Sequence, residues 1–373
     1  MALNLKEIID GVINDGASDL HLTPGLPPIF RIKKQLVTKE NFASLTIEDI
    51  DYFLSQILSS DQRKLFEINK ELFLSVNFGN NARFRITVFN TKGGYPAVAL
   101  RSIPFKSPAL ETLNLPPVIK RATELKQGLI LVTGPTGQGK TTTIAAILDK
   151  INNERSEHIV TVEDPIEFLF DSKKSFIQQM EVAIDTISWG TSLRSISRVD
   201  PNIIMVGEIN DAESLSAVLN LAETGHLVIS SLHTNSASQT IDRIISSYPE
   251  VSQAQVRNQL SMVLEMVISQ RLVETIDNNL LPAVEVLIPN SAVKSMIRSG
   301  QIFAIDNVIA TSANLGMVSL DTSLAELVNT GRVSLNNALR YSLYPDNLTR
   351  LVKKSWYLHL WPKIYQELRE QEQ

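Results

Sequence analysis

The chain has 373 residues, 43% hydrophobic and 20% charged, with 35 Lys and Arg against 40 Asp and Glu and no cysteine. At roughly 150 residues per domain that length suits two or three domains, and the composition excludes a collagen-like chain, a disordered one and a disulfide scaffold. Without cysteine there can be no thiolate zinc site, iron–sulfur cluster or thiol nucleophile, and a net charge of −5 does not suit general nucleic-acid binding, so no nucleic acid is expected as a partner.

Met1 to Ile13 lacks a basic n-region and an unbroken apolar run, so no signal peptide is expected. No apolar run reaches the roughly 20 residues of a membrane span. A cytoplasmic location is expected, with membrane contact only through partners. Leu5, Ile8, Ile9 and Val12 recur at helical spacing, and Gly16 ends that run. Short strands around a Pro/Gly turn follow in "SDLHLTPGLPPIFRIKKQLVT", then a helical stretch from about Thr46 to Leu65. The segment from Glu71 to Ile103, with turn signals at Gly79-Asn80-Asn81 and Gly93-Gly94, reads as two or three antiparallel strands. Prolines at 104, 108, 116 and 117 mark a linker. Short apolar runs then alternate with helices: "LILVTG", "HIVTVED", "NIIMVGE", "HLVISSLH". Such runs predict buried parallel strands in βαβ units. From about Val251 the pattern predicts mostly helix. Beyond Pro345 it predicts a short tail whose Trp356 and Trp361 dock on the body or on a partner. The expected division is 1–105 (α+β), 106–117 (linker), 118–345 (α/β with a helical C-terminal part) and 346–373 (tail).

The strongest signal is Gly134-x4-Gly139-Lys140-Thr141, placed between an apolar strand and a helix as a phosphate-binding loop requires. Glycines at 134, 137 and 139 let the backbone curl so that several amides point inward, and the helix N-terminus adds partial positive charge. Gly134, Pro135, Thr136, Gly137, Gln138, Gly139, Lys140, Thr141 and Thr142 are the candidate nucleotide-binding residues. Lys140 is expected at the β/γ-phosphates of ATP and the Thr141 hydroxyl on Mg²⁺. Glu208 follows an apolar strand, where it can hold Mg²⁺ or polarise the attacking water. Glu163, Asp164 and Glu167 cluster after another strand and suit general-base or metal work; a solvated acidic turn is the alternative. His226 and His233 bracket a further strand. Each reads as a γ-phosphate sensor or as a structural histidine.

The order "GPTGQGKTTT", "VTVEDPIEF", "IIMVGEI", "AETGHLVISSLHTNSA" resembles the secretion-superfamily ATPases, which share a Walker A, an Asp box, a Walker B ending in Gly-Glu and a His box. "ASDLHLTPGLPPIFRI" is similar to that family's N-terminal module and "ARFRITVFN" to its arginine-bearing strand. "SAVKSMIRSGQ" resembles a C-terminal segment of type IV pilus retraction ATPases. Within the superfamily the chain is most similar to the PilT/PilU twitching-motility group. Extension and type II secretion ATPases are longer and usually carry a tetracysteine zinc insertion. The resemblance spans about residues 1 to 350, and "GRVSLNNALRYSLYPDNLTRL" is somewhat PilU-like.

The resemblance implies an α/β fold: a RecA-like P-loop core with a parallel-rich sheet, preceded by a smaller α+β PAS-like N-terminal domain. It implies a homohexamer that hydrolyses ATP with Mg²⁺ to drive pilus retraction. The implied partners are an inner-membrane pilus platform protein and a paralogous retraction ATPase, with the ring cytoplasmic and peripheral at the inner membrane. Carried over, Glu163 is the water-activating carboxylate, Glu208 the Walker B acid, and His226 and His233 the His-box positions. Arg83, Arg85 and Arg101 match N-terminal-domain arginines that neutralise transition-state charge at a subunit junction; a salt bridge or solvated strand face is the alternative for each. The chain departs from the family pattern at Val199 and Asn202, where acids are usual, at Met180 and Asn210, where arginines are, and at Gln138, where a serine is. Those departures keep the reading of a weakly catalytic accessory ring subunit, and the ATPase of a related type II or type IV secretion or DNA-uptake system also stands, because the motifs barely distinguish it. A RecA-like nucleic-acid motor is disfavoured by the charge and by the lack of a basic aromatic stripe.

Overall fold

Ile8, Ile9 and Val12 share one face of α1 (Leu5–Asn14), and all three are buried in the core of an N-terminal unit. The computed structural model describes residues 5–32, 35–39, 42–79, 82–103, 106–209 and 211–352. Asn80, Asn81, Pro104, Asn210 and the tail with Trp356 and Trp361 lie outside the described residues. Two compact units divide the chain: Met1–Lys106 with Glu167–Leu169, and Ser107–Ile166 with Phe170–Gln373.

The first unit is one antiparallel sheet with helices on one face. After β1 (Asp19–Leu22), β2 (Ile29–Ile32) and β3 (Gln35–Thr38) come α2 (Ile47–Ile57), α3 (Ser60–Asn69), β4 (Glu71–Phe78), β5 (Ala82–Asn90) and β6 (Pro96–Ile103). Strand order is β3-β2-β1-β6-β5-β4. Along β5, Ala82, Phe84, Ile86 and Val88 are buried while Arg83, Arg85 and Thr87 take the other face, the period-two alternation of a half-covered sheet. The helical stretch read from Thr46 to Leu65 is two helices, not one. Leu58 is extended, and Thr46 and Ser59 each close a capping box that starts a separate helix.

In the second unit β7 (Gly128–Thr133) is buried along its whole length. Leu129 and Leu131 enter one apolar core while Ile130 and Val132 enter another, so helices cover both faces of the sheet. The elements run α4 (Lys140–Glu154), β8 (His158–Glu163), β9 (Phe176–Glu181), α5 (Trp189–Ile196), β10 (Ile203–Val206), α6 (Ala212–Glu223), β11 (Leu227–Leu232), α7 (Ala237–Ser246) and α8 (Glu250–Val263). They continue with β12 (Leu264–Glu274), β13 (Leu280–Leu287), α9 (Ser291–Ser299), α10 (Ile305–Thr311), α11 (Leu320–Asn329), α12 (Leu335–Leu339) and α13 (Pro345–Leu351). The seven-stranded order is β13-β12-β7-β11-β10-β8-β9; every neighbour pair is parallel except β12 with β13.

After Val251 helices make up most of the ordered elements, as expected, but β12 and β13 interrupt them with a hairpin that extends the main sheet. The stretch read as a linker, 106–117, is corrected: it is built into the second unit from residue 107, with Leu110 buried in the same core as Ile130 and Ile147 and Leu113 and Leu115 packed against it. No helix among the described residues is long and apolar enough to cross a membrane.

Candidate functional site

Parallel pairing puts the carboxyl ends of β7, β11, β10 and β8 on one edge, with Thr133 opposite Leu232 and Val206 opposite both Ser230 and Val162. Ligands in open α/β sheets bind at that edge. Gly134 (φ 148°), Gly137 (77°) and Gly139 (77°) carry the loop from β7 into α4 through backbone angles that a side chain disfavours. Gly139 is the N-cap of α4 and supplies no side-chain cap, so no capping side chain occupies the first-turn amides of a fifteen-residue helix. Those amides and the helix dipole form an anion cradle.

Lys140 is buried. Its Nζ donates to the carbonyls of Gly134 (2.8 Å) and Pro135 (3.2 Å) and to His233 Nδ1 (3.2 Å). An ammonium can only donate, so Nδ1 accepts and the ring N–H sits on Nε2, which faces Glu208 Oε1 at 2.8 Å. Glu208, His233 and Lys140 therefore form one line from the end of β10 through the end of β11 to the phosphate loop. Thr136 Oγ1 lies 3.5 Å from the same Nδ1. Glu163 is 3% exposed at the end of β8, where Thr161 Oγ1 (2.6 Å) and Gln179 Nε2 (3.2 Å) donate to its Oε1. The chain leaving the next strand at Gly207 lies beside it, where a Cβ would be 3.4 Å from Glu163 Cα.

His226 is not brought to this edge. It precedes β11, at the amino ends of the strands, six residues and about 20 Å of strand from the phosphate loop. Its Nδ1 lies 2.9 Å from the Leu221 carbonyl and 3.1 Å from Thr224 Oγ1, at the end of α6. Within this chain it ties the end of α6 to the start of β11, apart from the phosphate loop. Asn202 is also at the amino edge: its Oδ1 accepts from the His158 amide at 2.7 Å. Met180 packs against the helix-covered core, and Val199 is exposed.

Arg83, Arg85 and Arg101 belong to the first unit. On its sheet face opposite the core, Arg85 pairs in register with Arg101, Arg101 with Asp19 and Asp19 with Arg31. Arg101 Nε donates to Asp19 Oδ1 at 2.8 Å, and Arg31 Nε lies 3.5 Å from Oδ2. Burial opposes ionisation of Asp19. The hydrogen bonds from Arg101 and Ser18 and the charges of Arg101 and Arg31 outweigh it and hold the carboxyl below its usual range.

Three residues outside the sequence motifs shape the site. Gln270 Nε2 donates to the Gln138 carbonyl (2.7 Å) and its Oε1 accepts from Thr143 Oγ1 (2.8 Å). Arg271 Nη2 donates to the carbonyl and the Oδ1 of Asn235, two residues past His233. Glu285 accepts from the Ala237 amide at 2.7 Å, at the start of α7. The available signal was the polar Ser269-Gln270-Arg271 inside the apolar run of β12.

A family model described as type II/IV secretion system protein matches residues 2–335. The type IV pilus retraction ATPase PilT of Pseudomonas aeruginosa is 41% identical over 345 residues, 92% of this chain and 100% of that protein. The type IV pilus ATPase PilU of the same organism is 31% identical over 354 residues, 94% of this chain and 92% of that protein. A crystal structure of the pilus retraction motor PilT with bound ADP superposes with a TM-score of 0.87 at 41% identity, covering 93% of this chain and 99% of that one.

Proposed function

The chain belongs to the type II/IV secretion system protein family, and from that premise we propose that it is an ATPase motor of the pilus-retraction kind, hydrolysing ATP to ADP and phosphate. The observation that carries the reading is the Glu208–His233–Lys140 line beside a glycine loop that starts α4 with no side-chain cap. That cradle fits a nucleotide's phosphates: positive-φ glycines, a helix N-terminus and one buried ammonium converge on it.

In this reading Gly134 to Thr142 wrap the phosphates and Lys140 bridges to the outer ones. Thr141 and Glu208 would hold Mg²⁺, which when bound would supply neutralisation of charge on the phosphate oxygens. Glu163, oriented by Thr161 and Gln179, accepts the proton of the attacking water. His233 reads the outer phosphate and reports it to Glu208. Arg83, Arg85 and Arg101 meet transition-state charge at a junction between copies in a homohexamer. The ring acts on an inner-membrane platform protein, beside a paralogous retraction ATPase, and binds no nucleic acid.

Steady-state hydrolysis by the purified chain tests the proposal. Lys140→Ala is expected to lose ADP binding and turnover together. Glu163→Gln is expected to keep nucleotide binding and lose turnover by about a hundredfold or more, the scale of a missing general base. Wild-type turnover that survives Glu163→Gln unchanged removes Glu163 from the chemistry. A wild-type chain that binds ATP without hydrolysing it removes the motor reading.

A further inference from the structure

The amide of Gln270 is 3% exposed, and both its ends are engaged by the nucleotide loop. Nε2 holds the carbonyl of Gln138, the last residue before the N-cap, and Oε1 holds the hydroxyl of Thr143 in the first turn of α4. Gln138 answers with its own side chain, whose Oε1 accepts from the Leu272 amide at 2.6 Å. The contact has no slack. A Cβ on Gly134 would lie 2.5 Å from the Gln270 carbonyl oxygen, and one on Gly139 would lie 2.9 Å from its Nε2.

A peptide group is planar and trans, so its carbonyl and the following N–H point in opposite directions. Fixing the Gln138 carbonyl onto β12 therefore aims the Gly139 N–H away from β12. Next along the strand, Arg271 fixes the loop that carries His233 through Asn235, and its Nη1 donates to the Gln270 carbonyl at 3.0 Å. Adjacent residues of one strand thus hold the two loops whose side chains meet at Lys140 and His233.

We propose that Gln270 is the positioning residue of the nucleotide site: it sets the direction of the Gly139 amide and the spacing between the loop and α4, and so sets nucleotide affinity. The inference rests on the nucleotide-binding reading and assigns the loop's geometry to a strand that lies outside every motif.

The test titrates the full chain with ADP by calorimetry and measures ATP hydrolysis. Gln270→Leu removes both polar contacts, and Gln270→Glu keeps an acceptor for Thr143 while losing the donor to Gln138. Both are expected to weaken ADP binding and raise KM for ATP by about tenfold, the scale of one or two lost hydrogen bonds, with a smaller change in kcat. ADP affinity within twofold of wild type for both variants, whatever their melting temperatures, makes Gln270 a packing residue and overturns the proposal. If both variants fail to fold, Thr143→Val decides: it leaves β12 intact and removes the hydroxyl by which Gln270 ties α4 to the loop, so unchanged ADP affinity overturns the proposal equally. Lys140→Ala in the same titration separates the two levels. Loss of ADP binding there with retention in the Gln270 variants sinks only this inference; a wild-type chain that binds no ADP sinks the nucleotide reading as well.

Discussion

Burial pushes the Glu285 carboxyl up from 4.5 to about 7, against the hydrogen bond from the Ala237 amide; the charge of Asp306 adds to the rise, and the Leu320 amide and Arg271 oppose it. The folded chain thus keeps a proton between about pH 4.5 and 7 that the unfolded chain has released, so this group costs stability as pH rises through that window. Glu285→Gln keeps an acceptor for Ala237 and carries no charge. Its melting temperature relative to wild type is expected to climb from pH 5 to pH 8; a difference that stays flat across that range means Glu285 does not titrate there. At this scale the sequence was uneven. His226 and His233 bracket the same apolar run and looked equivalent as residues, but only His233 follows the strand. Strand direction in a parallel sheet carried the distinction, and neither histidine's immediate neighbours did. Gln270 and Glu285 gave less away, because a polar residue in an apolar run shows that a partner exists without showing which.

Among the elements, β7, β8, β10 and β11 were legible because each is a short apolar run buried on both faces. The hairpin of β12 and β13 was not. Its strands are long, and its polar residues interrupt the run where they turn toward the loops. Helix starts were the finer miss: one helical stretch hid a second N-cap at Ser59, although Ser-x-x-Gln is a capping signature. The first cap is testable. Thr46 Oγ1 accepts from the Asp49 amide at 3.1 Å, and the Thr46 amide donates to Asp49 Oδ2 at 2.9 Å. Thr46→Ala is expected to cost about 1 kcal/mol in urea denaturation of the first unit, and Thr46→Ser close to nothing. Equal loss in both variants assigns the effect to the methyl group's packing.

At the scale of the whole chain, the core around Phe30, Phe53 and Phe84 shares no residue with those of the second unit. Separate cores predict two calorimetric transitions instead of one. The phosphate loop belongs to the second unit alone, so ADP at a hundredfold excess over its Kd is expected to stabilise that transition by about 2.7 kcal/mol and leave the other in place. A single transition, or two that move together, means the units unfold as one. The close fit of β12 behind the loop also bears on how such a chain ages over generations. Gly134 is demanded by the protein's own strand, because a Cβ there would lie 2.5 Å from the Gln270 carbonyl oxygen, and Gly139 by its positive φ beside the Gln270 amide. A descendant that lost its activity but kept β12 would have to retain both glycines, while Lys140 and Glu163 drifted. In such lineages the glycine spacing would outlive the chemistry that it usually advertises.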